Sequence, residues 1–246
     1  MEFETPLTTK VTICVLTYAD YPHLAERVIE SIRSHCPRSE YRLIVGANAI
    51  GDETLRYVQT LAMNGDIDHL IVSPVNLYKC PMMRRMFDKV ETELTWWFHD
   101  DSYILEPGAL GTWLALAQAA PESTVMWGQS ARCDNKESFT NIEDVLGFVR
   151  GATWYRGLPP PSWRVGGKGE LNFENGGTGD GRWFFILGGC WLIRTQTIRA
   201  LDWPDLRLKD DDVFLGEAIR QNGWRLANIG TPGVALNTEA RRGNMR

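Results

Sequence analysis

The chain has 246 residues, 43% of them hydrophobic and 23% charged, enough to bury the core of one large domain and too apolar for a disordered or fibrous protein. Its longest apolar runs fall well short of the roughly 20 residues that cross a bilayer, so no membrane span is expected. A net charge of −5 gives no general attraction to phosphate backbones, which disfavours nucleic acid as a partner.

The first residues, Met1, Glu2, Phe3 and Glu4, show no basic segment followed by an apolar one, and a cytoplasmic location is the expectation. Five cysteines (Cys14, Cys36, Cys80, Cys133 and Cys190) are scattered without C-x-x-C spacing, so they read as reduced thiols rather than zinc ligands.

In chain order, short apolar runs alternate with amphipathic stretches, the pattern of βαβ units and a mainly parallel sheet. Strands are predicted over residues 11–17, 41–47, 69–73 and 95–99, each nearly all apolar, as buried parallel strands are. Leu24, Val28 and Ile32 mark a first helix, with Asp20 placed to cap it and Pro22 in its first turn. Leu55, Val58, Leu61 and Ala62 mark a second helix ending at Gly65, and Met82, Met86 and Val90 one face of a third.

A helix over residues 110–119 and a strand over 124–127 follow. Residues 151–182 are rich in glycine, carry Pro159, Pro160 and Pro161 in a row, and include Trp154, Tyr155 and Trp163. A long irregular stretch with that composition suits a lid. Residues 183–194 read as a strand interrupted at Gly188 and Gly189, then come a helix over 212–221 and a strand near 225–229.

Ligands of an open parallel sheet bind beyond the carboxyl ends of its strands. Those ends are polar here: Thr17 and Tyr18, Asn48, Asn76, and then His99, Asp100 and Asp101. Adjacent aspartates after an apolar strand suit a divalent cation bridging to phosphate, or else a cap or solvated turn. A second acidic run, Asp210, Asp211 and Asp212, opens the helix that ends before Gly223; it exceeds what capping needs and could supply a carboxylate to take a proton.

Five segments together resemble a family 2 glycosyltransferase. They are residues 11–18 (VTICVLTY), residues 76–85, the Phe98-His-Asp-Asp-Ser102 turn with Leu105-Glu-Pro-Gly-Ala-Leu110, the Gly188-Gly189 strand, and Asp211-Asp-Val-Phe-Leu215 with Gly223. They run in family order from about residue 11 to residue 230, and the last two also look like the acceptor half of β-1,4-galactosyltransferases. The resemblance implies an α/β, GT-A fold of one domain over 1–246, with a nucleotide-sugar-binding half (1–105), an acceptor-binding half (106–246) and a lid at about 151–182.

It further implies an inverting, metal-dependent transferase that takes a nucleotide-diphosphate sugar, a UDP-sugar in the first instance, with Mn2+ or Mg2+ as cofactor. Thr17 and Tyr18 fall beside the base, Asp100 near base or ribose, and Asp101 on the metal-binding carboxylate. Asn48 and Asn76 line the same nucleotide site, and Arg84 matches a family arginine close to it. Gly188 and Gly189 lie against donor sugar and acceptor, Asp212 on the catalytic base, and Asp211 beside it as an acceptor-binding acid.

The chain departs from the family where Ala47 replaces the usual aspartate after strand two, where Ser102 replaces the second aspartate of D-x-D, and in having no histidine after His99. Asn237 or Glu239 could replace that histidine at the metal. The acceptor stays open among a glycan, a protein and a nucleobase, any of which Trp154, Trp163, Trp183 or Trp191 could stack on. A sugar-phosphate nucleotidyltransferase is the first rival, although the lysine-bearing glycine-rich loop it needs after strand one is absent. A non-catalytic carbohydrate-binding protein is the second.

Overall fold

In the computed structural model, the structure describes residues 9–133, 151–153, 155–157, 183–201 and 211–236. The lid expected at about 151–182 lies almost wholly outside them, as do Trp154, Trp163, Asp210, Asn237 and Glu239. Strand β1 (Val11–Tyr18) leads through helix α1 (Pro22–His35) to β2 (Tyr41–Asn48), and α2 (Asp52–Met63) leads on to β3 (His69–Ser73). Helix α3 (Lys79–Phe87) then precedes β4 (Leu94–His99), the two-residue β5 (Tyr103–Ile104) and α4 (Ala109–Ala119).

The second half supplies β6 (Thr124–Cys133), β7 (Trp183–Arg194), α5 (Thr195–Ala200), α6 (Asp211–Gln221), β8 (Arg225–Asn228) and β9 (Val234–Ala235). Seven strands form one sheet of order β3-β2-β1-β4-β7-β6-β8, and β5 pairs with β9 in a separate ribbon. Within the large sheet β3, β2, β1 and β4 are parallel, and β7 runs antiparallel to both of its neighbours.

Period-two alternation sends each strand's side chains into two layers. Trp96 and Phe98 of β4 join Ile13, Val28, Trp113 and Trp127 on the face covered by α1, α2 and α4. Trp97, between them, joins Cys14, Met82, Met86 and Phe214 on the face covered by α3, α5 and α6. Met82 and Met86 are core filler, as their spacing predicts. Burial pushes the Cys14 and Cys190 thiols well up and that of Cys36 to about 12, so these are inert thiols of the interior.

Three expectations need correction. Asp20 does not cap α1: the N-cap is Tyr21, without a side-chain cap hydrogen bond, and Pro22 supplies the first turn. Asp20 packs instead on Gly51, where a Cβ would lie 2.0 Å from its Oδ1. Trp191 cannot stack on an acceptor, because it is buried and pairs across the strands with Trp97, their rings parallel within 10° at 5.4 Å. Strand β6 continues to Cys133, past the predicted end at 127, because β7 pairs with it all the way to Trp183.

The two helices predicted to stop at a glycine do so. Gly65 and Gly223 adopt φ of +80° and +71°, and in each case the next residue's amide reaches back to the last turn: Asp66 to Leu61 (2.9 Å) and Trp224 to Ile219 (3.0 Å).

Candidate active site

The parallel register brings four strand ends to one edge of the sheet: Tyr18 lies opposite Asn48, Asn48 opposite Ser73, and Leu16 opposite His99. The chain turns sharply after each. Ala19 and Ala49 take positive φ, 58° and 52°, conformations that L residues avoid unless the surroundings hold them there. At this edge the polar side chains form two groups.

The first group lies over β1, β2 and β3. Asn48 is buried; its Oδ1 accepts the Leu77 amide at 2.8 Å and its Nδ2 donates to Asn76 Oδ1 at 3.1 Å. Asn76 in turn accepts the Tyr78 amide at 2.8 Å and donates to the Tyr18 hydroxyl at 3.3 Å. With both ends of Asn48 committed, the groups turned outward are those of exposed Asn76 and half-buried Tyr18. Thr17 is buried and its hydroxyl donates to the Gly46 carbonyl (3.2 Å), so its side chain belongs to the sheet. Arg84 is exposed on α3.

The second group lies over β4 and β7. Asp100 is buried, and its Oδ2 accepts the Tyr18 amide at 3.0 Å, tying the turn after β4 to the end of β1. Asp101, half-buried, is the adjacent carboxylate. Pairing between β4 and β7 ends at Phe98 with Cys190, so Gly189 and Gly188 run on along the edge that carries His99, Asp100 and Asp101. There the β6–β7 register breaks: Gly128 pairs with Trp191, but Ser130 pairs with Ile186. Residues 187–190 therefore bulge, as a Gly-Gly interruption allows.

The bulge meets the first turn of α6. The Gly188 amide donates to Asp212 Oδ2 at 2.8 Å, and the Lys79 ammonium donates to Asp212 Oδ1 at 3.0 Å. A Cβ on Gly188 would sit 2.4 Å from Asp212 Oδ1 and 2.5 Å from Lys79 Nζ, so only glycine leaves room for the carboxylate here. Asp211 opens the same helix, with its side chain outside the described part.

Sequence reasoning placed Asp212, Gly188 and the Asp100–Asp101 turn together and missed Lys79. Its partner is 133 residues away. The one available signal was electrostatic: lysine in the first turn of a helix opposes the macrodipole, and such a choice calls for a reason.

A parallel sheet prolonged by one antiparallel strand, with carboxylates gathered at the carboxyl edge, is the architecture of the GT-A class. The family model described as "Glycosyltransferase like family 2" matches residues 9–242, and the chain belongs to that family of glycosyltransferases.

Among solved structures, the fold is similar to the mannosyltransferase PcManGT from Pyrobaculum calidifontis, in complex with GDP-Man and Mn2+ (TM-score 0.59, 14% identity, 92% of this chain and 59% of that one). It is also similar to S. aureus TarS 1–349 (TM-score 0.54, 13% identity, 90% of this chain and 58% of that one) and to the same protein with UDP-GlcNAc (TM-score 0.51). The chain thus spans less than two thirds of the length of either. No curated protein sequence matches it.

Proposed function

We propose that the chain transfers a sugar from a nucleotide-diphosphate sugar to an acceptor hydroxyl by a single displacement that inverts the anomeric carbon. The observation that carries this reading is the Asp212 carboxylate, held by two donors at the sheet edge that also bears Asp100 and Asp101. An acceptor hydroxyl attacks well only as its proton leaves. Asp212 takes that proton while the new C–O bond forms and the bond to the diphosphate breaks, releasing nucleoside diphosphate. Each carboxylate oxygen can accept about two hydrogen bonds, so one donor on each leaves capacity for the hydroxyl.

In this reading Tyr18 and Asn76, the outward-facing polar groups over β1 and β3, meet the base, and the backbone at Gly188 and Gly189 lies against the sugar. Among the described residues no three His, Cys, Asp or Glu side chains converge as a metal cage. Asp100 holds the Tyr18 amide, Asp101 beside it serves as the ligand in this reading, and one carboxylate plus phosphate oxygens and water suits a hard cation such as Mn2+ or Mg2+. Such a cation would offset the charge of the departing diphosphate.

UDP- and GDP-sugars incubated with protein and Mn2+ should slowly yield nucleoside diphosphate even without acceptor. Asp212→Asn should reduce this release by roughly 100-fold, the usual contribution of a general base, and should leave nucleotide binding near wild type. Asp101→Ala and excess chelator should each abolish it. Full turnover in chelator would end the metal assignment, and a transfer product with the donor's own anomeric configuration would end the single-displacement assignment.

A further inference from the structure

We propose that Lys79 is the positioning residue for Asp212, and that the Asn48–Asn76 pair over the donor half aims it. The inference rests on Asp212 acting as the base, and it joins the two polar groups of the site into one connected device.

A lysine side chain on a surface helix ordinarily extends into water, because its ammonium is strongly hydrated and its stem flexible. That of Lys79 is only 16% exposed and ends 3.0 Å from an aspartate that is itself only 22% exposed. The contact sits against the Gly188 backbone, so the ammonium, the carboxylate and the bulge of β7 fill one another's space. Held at Oδ1 by Lys79 and at Oδ2 by the Gly188 amide, the carboxylate loses rotation about its terminal bond. A base so held has its remaining lone pairs pointed before any acceptor arrives, and orientation of that kind can be a large part of a rate.

What aims Lys79 is the residue before it. Tyr78 has φ 65° and ψ 175°, a region populated almost only by glycine, yet it is a tyrosine at the N-cap of α3. Such a conformation persists where neighbours over-determine it, and two hydrogen bonds do so here. The Leu77 amide is held by Asn48 and the Tyr78 amide by Asn76, both at 2.8 Å. Segment 76–78 is thereby fixed and leads directly into α3, whose first residue reaches Asp212. A polar path runs from the Tyr18 hydroxyl through Asn76 and this segment to Lys79 and the carboxylate.

Two measurements test this. In a thermal-unfolding cycle of Lys79→Met, Asp212→Asn and the double variant, the double variant should lose clearly less than the sum of the singles, and additive losses would show that the pair does not hold. In donor hydrolysis with Mn2+ and UDP-GlcNAc or GDP-mannose as probe, Lys79→Met should lower kcat by roughly 10-fold or more with donor KM little changed, a cost typical of a misplaced group.

Lys79→Arg should recover part of that loss, and Asn76→Ala, which also removes a contact proposed for the base, should lower kcat in milder form and raise donor KM as well. Wild-type kcat in Lys79→Met, or an effect confined to donor KM, would overturn the proposal. Equal hydrolysis by wild type and Asp212→Asn would instead defeat Asp212 as base. If the wild type releases no nucleoside diphosphate from either probe, the functional reading fails and the thermal cycle alone decides whether Lys79 fixes Asp212.

Discussion

Gly188 shows how one missing Cβ can matter to chemistry more than to folding. Its backbone is not in the left-handed region, so alanine is conformationally permitted there. The atoms that an added methyl would strike, at 2.4 to 2.7 Å, are the ends of two side chains, Asp212 and Lys79, which can swing aside without unfolding anything. Gly188→Ala should therefore melt within a few degrees of wild type while nucleotide-sugar hydrolysis falls by roughly 100-fold, the penalty of a base displaced by about an ångström. A calorimetric scan and a nucleoside-diphosphate assay on the same preparation check both halves. A collapse in stability would mean that this glycine serves the fold.

At the scale of elements, α3 and α6 are the ones that make the site, and their legibility differed. The start of α6 could be read because three aspartates in a row exceed any capping need, and its end because Gly223 adopts the conformation that closes a helix. Helix α3 was visible as a methionine face, but nothing in residue types announces that its first lysine crosses to α6, since the contact depends on a left-handed residue, Tyr78, where no glycine marks it. The short β5, β9 and α5 were missed for a related reason: two-residue strands and a six-residue helix are too short to show a periodicity and are set by their packing partners. The conformation of Tyr78 supplies a test at this scale. In ordinary backbone, alanine is favoured over glycine; at φ 65° and ψ 175° the order should invert, so Tyr78→Gly should be more stable than Tyr78→Ala by about 1 kcal/mol in denaturant unfolding. The normal order would mean that the backbone at Tyr78 relaxes in solution and does not hold Lys79 in place.

For the whole molecule, the expected division at residue 105 into a nucleotide-sugar half and an acceptor half does not coincide with any division of the sheet. Strand β7 comes from the second half, yet it lies in the sheet between β4 and β6, registered on β4 from Leu94 with Arg194 to Phe98 with Cys190. Trp97 of the first half stacks on Trp191 of the second, with Phe87 of α3 beside both at 6.4 and 6.3 Å. On the opposite face, Trp96 packs on Trp113 of α4 with ring centroids 5.3 Å apart. A fragment of residues 1–105 would expose β4 as an open edge, strip both faces of its tryptophans, and leave the buried Thr95 hydroxyl without its Thr195 partner at 2.9 Å. Each large aromatic so exposed forfeits on the order of 1.5–3 kcal/mol, and a few such losses rival the roughly 5–15 kcal/mol that hold a domain together. The fragment should therefore show poor amide dispersion and no cooperative melt, whereas the full chain should unfold in one transition seen alike by tryptophan fluorescence and far-ultraviolet dichroism. A dispersed spectrum with a sharp melt from the fragment would show that the donor half folds alone and that β7 joins a sheet already formed.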